Sequence, residues 1–247
     1  MNAEFVGLST FGLLLAAIAA GMQISEDRLS TSTKETVKVA ASLVATLAAL
    51  VLGLSVSSAK GSYDTVRSEV IEVSSKVVFL DRVLTGYGAE SAEARAHLRE
   101  VAEESMDRMW PTEAKRPVNL ALPREVRNAL YMAIQSFTPK DDVQRSLKTE
   151  ASNLAIDLGK TRTLLVARSV PSISKLMLVV LISWLVIIFF SFSMLAPTNV
   201  PAIVALAISG LSVCGAIALI LELDRPFGGL MGLSSEPMHN ALTQLAR

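Results

Sequence analysis

Charged residues are absent from three stretches of this chain, Phe5–Ser25, Val39–Ala59 and Leu176–Leu221, and each of these stretches is strongly apolar. An α-helix needs about 20 such residues to cross about 30 Å of hydrocarbon. A charge at the centre of a bilayer costs about 2.5–3.5 kcal/mol, so long uncharged runs are where lipid is tolerated. The first two stretches each fit one crossing. The third is long enough for two, and Pro197-Thr198-Asn199-Val200-Pro201 divides it into Leu176–Ala196 and Pro201–Leu221. The pattern predicts an all-α integral membrane protein with four transmembrane helices, at about 5–25, 39–59, 176–196 and 201–221.

Between the second and third crossings the pattern changes to that of helices with one apolar face. Tyr63, Val66, Val70, Val73, Val77, Leu80 and Leu84 recur at spacings of three and four, the mark of a single buried stripe. Ser32-Thr33-Lys34-Glu35 matches a capping box, and Gly86-Tyr87-Gly88 supplies a stop. One helix from about Ser32 to Thr85 is therefore expected, half in lipid and half in water, with Gly61 the place where it can bend. The averaged 3.5-residue spacing of the stripe fits a packing seam against another helix, including one from a neighbouring subunit. A second helix fits Ser91–Trp110, with Leu98, Val101 and Met109 inward, and a third fits Pro123–Phe137. Thr138-Pro139-Lys140-Asp141 reads as an N-cap, a first-position proline and an acid completing the cap. The helix after it carries Val143, Leu147, Leu154, Leu158 and Leu165 toward the membrane, and Pro171 separates it from the third crossing. Residues 60–172 thus form a helical, water-facing insert, 173–222 hold crossings three and four, and 223–247 remain as a C-terminal segment. No strand-like alternation, tandem repeat or low-complexity tract interrupts this plan.

Orientation follows from lysine and arginine near the membrane ends. Lys60, Arg67, Lys160, Arg162, Arg168, Lys175 and Arg225 flank the insert side, against Arg28, Lys34 and Lys38 on the other. The balance places both termini and the insert in the cytoplasm. The first crossing is read as a retained helix. Ala19-Ala20-Gly21 resembles a cleavage site, but Met1-Asn2-Ala3-Glu4 has no positive charge. Net charge is zero, which gives no reason to expect nucleic acid as a partner. The single Cys214 lies inside the fourth crossing, without Cys or His at ligand spacing.

Enzyme signatures are missing: no phosphate-binding Gly-x-x-x-x-Gly-Lys-Ser/Thr loop, no His-Glu-x-x-His and no Gly-x-Ser-x-Gly. His97 and His239 stand alone and read as surface or interface histidines. No enzyme, cofactor or metal site is expected. Crossing two says more. Ser42, Thr46, Ala49, Gly53 and Ser57 share one helical face, which Lys60, Asp64 and Arg67 continue beyond it. Small and hydroxyl side chains can line a water-filled path with charges filtering at its mouth, or they can pack closely on another helix. Spacing alone favours packing, and more clearly so for Ala202, Ala205, Ser209, Ser212 and Ala216 in crossing four, which have no polar mouth beside them. After crossing four, Glu222-Leu223-Asp224-Arg225-Pro226-Phe227-Gly228-Gly229 forces the chain out of the helix. Glu222 and Asp224 sit where the helix dipole disfavours negative charge. Arg225 compensates locally, so a turn pinned by an acid–arginine network is preferred over a cation site.

Ile220 to Leu230, followed by Ser234-Ser235-Glu236-Pro237-Met238 and Ala241-Leu242, resembles the C-terminal signature of the bestrophin-like family of bacterial multi-pass membrane proteins. Leu43 to Leu54, then Ala59-Lys60-Gly61-Ser62-Tyr63-Asp64 and Leu80 to Gly88, resembles that family's second span and the helix after it. The likeness covers essentially the whole chain. More remotely the family is similar to bestrophins, pentameric anion channels with four spans per subunit and cytoplasmic termini. What the resemblance implies is a homo-oligomer, a pentamer, embedded in the membrane lipid of a bacterial inner membrane and passing small inorganic anions along an axis lined by the second helix. In bestrophins a Pro-Phe-Gly turn leads into an acidic cation-binding segment. Here Pro226-Phe227-Gly228 is present, but Gly229-Leu230-Met231-Gly232 replaces the acidic run. A non-conducting scaffold or signalling protein, binding a cytoplasmic partner through the insert, is the alternative.

Overall fold

The structure is a computed structural model that describes residues 3–24, 30–111, 120–169, 174–229 and 231–245. Arg28 and Pro171, used above for orientation and for a helix break, lie outside the described residues. Among the described residues eight α-helices follow one another: α1 (Ala3–Met22), α2 (Thr31–Tyr87), α3 (Ala92–Met109), α4 (Arg124–Gln135), α5 (Asp142–Arg168), α6 (Lys175–Leu195), α7 (Val200–Leu223) and α8 (Glu236–Leu245). No strand occurs among the described residues. The chain divides into two compact units: Met1–Ser62 with Ser172–Asp224, and Tyr63–Pro171 with Arg225–Arg247.

The first, the apolar unit, holds α1, the first part of α2, α6 and α7. Among the described residues these are the four helices long and apolar enough to cross a membrane. At 20 to 24 residues, α1, α6 and α7 are each about 30–36 Å long at 1.5 Å per residue. Their core joins Leu14 and Ile18 of α1, Ala48 of α2, Leu181, Leu185, Ile188 and Phe189 of α6, and Cys214 and Ile217 of α7. Only 17–33% of each apolar stretch is buried, and Leu8, Leu43, Leu50, Leu54, Val179 and Leu211 point outward. In water that surface would be untenable, whereas in lipid it costs nothing. Where helices touch, small residues let them approach: Gly21 of α1 abuts Phe190 and Ser193 of α6, and Gly210 of α7 faces Phe189 and Leu14. The α6–α7 turn is closed by Asn199, whose Oδ1 accepts from the Ala202 amide at 3.0 Å, with Pro201 in the first turn of α7.

The second, the insert unit, is built on the remainder of α2. Val66, Val70, Val73, Val77, Leu80 and Leu84 are all buried, and Tyr63 packs beside them. The expected seam is met by helices of the same chain: Leu98, Val101 and Met109 of α3, Leu130 and Ile134 of α4, Leu158 and Leu165 of α5, and Met238 and Ala241 of α8. Helix α2 continues through Gly61 without a break and stops at the expected glycines. Gly88 has φ +112°, in a region open essentially to glycine alone. The Ser91 hydroxyl donates back to the Leu84 and Gly88 carbonyls at 2.6 and 2.8 Å. Gly88→Ala is expected to cost about 1–3 kcal/mol, read as a lower unfolding midpoint.

Two caps differ from expectation. Ser30, not Ser32, caps α2, its hydroxyl accepting from the Thr33 amide at 3.2 Å. Helix α5 starts at Asp142, with Asp141 rather than Thr138 as N-cap: its Oδ1 accepts from the Gln144 amide at 2.7 Å. Gln144 reaches back to the Lys140 amide at 2.8 Å and donates to the Tyr87 carbonyl at 3.1 Å. An Asp-x-x-Gln pair thus satisfies orphan amides on both sides of the start, which a hydroxyl three residues earlier cannot do. Helix α8 was not expected from the sequence.

Candidate functional site

The first part of α2 has three faces, as the 100° turn per residue of a helix dictates. Ala41, Ala48, Ser55 and Ala59 are buried in the apolar unit. Leu43, Leu47, Leu50 and Leu54 are exposed, a surface that suits acyl chains. Between them, Ser42, Thr46, Ala49, Gly53, Ser57 and Lys60 are exposed along their whole length. The Ser42 hydroxyl donates to the Lys38 carbonyl at 2.8 Å, and Thr46 donates to Ser42 at 3.0 Å. Their protons are satisfied within the helix, and their lone pairs remain as acceptors. A Cβ added at Gly53 would meet nothing within 4 Å. The close packing favoured by spacing does not occur against helices of the same chain. The comparable α7 face is more covered: Ala205, Ser209 and Ser212 are exposed, Ala202 and Ala216 are half-buried, and Gly210, Cys214 and Ile217 turn inward. In the insert unit Asp64 is half-buried and Arg67 exposed.

At the turn after α7, Glu222 is half-buried and Asp224 is 7% exposed, its amide bonding to the Ile220 carbonyl at 3.1 Å. Arg225 and Gly228 close a tight turn, the Gly228 amide meeting the Arg225 carbonyl at 3.1 Å, and Gly229 follows with φ +80°. Pro226 is buried, and its carbonyl accepts from the Leu233 amide at 2.7 Å. Phe227 stands edge-on to Trp110, centroids 5.7 Å apart at 73°. The Trp110 indole N–H donates to the Leu233 carbonyl at 2.7 Å. The Pro-Phe-Gly segment is thereby an anchor that ties the C-terminal residues to α3. Among the described residues, no group of three or more His, Cys, Asp or Glu is placed to hold a metal ion.

Charges inside the insert unit are the part that pattern reading missed. Glu69, 6% exposed, pairs with Arg168 through one oxygen, and among the described residues its Oε2 has no hydrogen-bond partner. Asp81 holds Arg95 in a two-point bond at 2.7 and 3.2 Å. Lys76 bridges Asp157 at 2.5 Å and Glu72 at 2.7 Å. Burial disfavours its charge, but the two carboxylates outweigh that and raise its pKa. Arg162 is 7% exposed; its guanidinium donates to the Ser105 hydroxyl and, at 3.0 Å, to the Leu120 carbonyl. Burial, then the neighbouring Arg108 charge, lowers its pKa to about 10, with Glu104 opposing. Sequence reading used Arg162 only to count charges. Its place at helical spacing between Leu158 and Leu165, both buried, was the available signal.

Four apolar helices with lipid-compatible surfaces, joined to a helical insert unit, define a multi-span helical membrane protein. The model of the bestrophin-like domain matches residues 8–238. The chain belongs to the bestrophin-like family. None of the curated proteins and none of the solved structures compared with the chain matches it.

Proposed function

We propose that the protein is one subunit of a symmetric oligomer, a pentamer, that passes small anions along an axis lined by α2. The observation that carries this reading is the exposed face of Ser42, Thr46, Ala49, Gly53 and Ser57 beside a separate exposed leucine face. One helix offering two such surfaces has two different neighbours to meet. Leucines suit acyl chains; small residues with free hydroxyl lone pairs suit water and hydrated ions. Lys60 and Arg67 follow at the same spacing, so each subunit brings positive charge to the mouth, and Asp64 moderates it. The excess of basic residues on the insert side supports cytoplasmic termini and a cytoplasmic insert in a bacterial inner membrane. The reading is a transport function without a chemical step.

Purified protein in planar bilayers is expected to carry anion currents, and Lys60→Glu is expected to lower the anion/cation permeability ratio about tenfold. That corresponds to about 1.4 kcal/mol at the mouth, a modest demand on a reversed charge at every subunit. Silence across a range of salts and voltages would sink the channel reading.

A second reading, a non-conducting scaffold binding a cytoplasmic protein, is favoured by a groove of the insert unit. There Ile71 and Phe79 of α2, 45% and 49% exposed, lie beside Pro237 and Ala241 of α8. Ile71→Glu with Phe79→Glu would then abolish partner capture and leave oligomer size unchanged. Excising Ser91–Lys160 is a poorer test, because it strips the cover from Val66 to Leu84.

A further inference from the structure

The insert unit contains a cavity of about 180 Å³ between α3, α4 and α5. Val101, Leu122, Leu130 and Leu158 line it, and Arg162 and Arg127 are its charged walls. Arg127 is exposed, as are Ala121 and Thr163 of the same lining, so the cavity opens to solvent. Arg162 is buried, and the hydrogen bonds it makes go to neutral acceptors, Ser105 and Leu120. Two of the five N–H donors of a guanidinium account for those bonds. Among the described residues no carboxylate forms an ion pair with it. Glu104, the acid whose charge acts on it, is bonded to Arg108 at 2.5 Å, and Arg108 adds a second positive charge to the neighbourhood.

A buried charge without an opposite partner is costly, and a pocket wall is where a ligand can supply that partner. We propose that this cavity binds a small monocarboxylate with an apolar body, its carboxylate meeting Arg162 and its body lying against Val101, Leu122, Leu130 and Leu158. Guanidinium and carboxylate match in geometry and charge. The size fits as well: a cavity of about 150 Å³ holds a benzene molecule, so a carboxylate carrying about six carbons is accommodated. A bare inorganic anion satisfies the arginine but leaves the apolar walls facing a desolvated ion, which favours the amphiphile. The site is separate from the α2 face and does not depend on conduction.

The test is calorimetric titration of the full-length protein in micelles with hexanoate, benzoate, hexanol and chloride. Hexanoate and benzoate bind saturably, and hexanol binds about tenfold more weakly or worse, the loss expected when a charge-assisted pairing is removed. Arg162→Gln weakens hexanoate by a similar factor. Because removing a buried arginine can disturb folding, Gly159→Leu serves as the second variant. Gly159 lines the cavity, and a Cβ there meets nothing within 4 Å. The added side chain fills the space without deleting a core contact, and replacing a mid-helix glycine favours the helix. Gly159→Leu therefore keeps its melting temperature and loses hexanoate binding. The proposal is overturned if hexanol matches hexanoate, if equimolar chloride displaces it, if Gly159→Leu still binds, or if no ligand gives saturable heat.

Discussion

Gly21→Leu is expected to leave no assembled apolar unit, while Gly12→Leu on the same helix is expected to be tolerated. A Cβ at Gly21 would lie 1.9 Å from the Ser193 hydroxyl and 2.7 Å from the Phe190 carbonyl oxygen. The second contact is with backbone of α6, which cannot rotate away. Ser193 is itself fixed, 1% exposed and donating to the Phe190 carbonyl at 2.9 Å. Even Gly21→Ala must push α1 and α6 apart, at about 1–3 kcal/mol for one overpacked methyl, and leucine demands far more room. In lipid the loss is not recovered elsewhere, since close packing rather than the hydrophobic effect holds such helices together. At Gly12 a Cβ meets nothing within 4 Å. Yield of monodisperse protein and melting temperature in detergent would read both variants. Ser193→Ala should recover part of the loss in Gly21→Ala, a coupling the single variants cannot show. Normal yield and melting temperature for Gly21→Leu would mean that α1 and α6 do not cross at this glycine.

The four apolar helices were legible because their signal, charge excluded for the width of a bilayer, needs no knowledge of what packs where. Their ends fell close to expectation, α6 at Lys175–Leu195 and α7 at Val200–Leu223. The Val66-to-Leu84 stripe was legible for the same kind of reason, as a period of the helix itself. Features that depend on a three-dimensional neighbour were not. Ser30 competed with Ser32, and Asp141 with Thr138, as caps; the winner is whichever side chain meets an orphan amide, and the sequence carries both candidates. Helix α8 had its signals in plain view: Ser234 and Ser235 before it, Pro237 in its first turn, and Met238, Ala241, Leu242 and Leu245 at helical spacing. The same residues had already been read as a family motif, and a motif does not say that its segment folds. Whether the small α2 face is covered by its own chain was undecidable from spacing, because a path lining and a packing face use the same small residues. The structure leaves that face exposed and its α7 counterpart exposed at Ala205, Ser209 and Ser212, so the described helices of the chain do not themselves cover either.

Trp110→Ala is expected to cost the insert unit about 3 kcal/mol and to release the C-terminal turn. The figure is the lower end for a tryptophan truncation, since Trp110 is only partly buried. Two losses combine. The ring contact with Phe227 goes, and so does the indole N–H that meets the Leu233 carbonyl. Leu233 is 6% exposed, so its carbonyl is left without a donor in a buried place, which by itself costs about 1–3 kcal/mol. Leu233 is also held from its other side, its amide donating to Pro226. Losing Trp110 therefore unclamps the loop that leads into α8, whose far end remains attached through Arg99 and the Leu245 carbonyl. Trp110→Phe keeps an aromatic ring but not the donor and should lose about 1 kcal/mol. Phe227→Ala removes the ring contact and keeps the donor. Combining Trp110→Ala with Phe227→Ala should cost less than the sum, because their shared contact can be lost only once. Unfolding followed by far-UV circular dichroism gives the energies, and chymotryptic cleavage after Phe227 reports release of the turn. If Trp110→Ala unfolds with the wild type and Phe227 stays protected, the Pro226-Phe227-Gly228 segment is anchored by something other than Trp110, and its tie to α3 fails with that result.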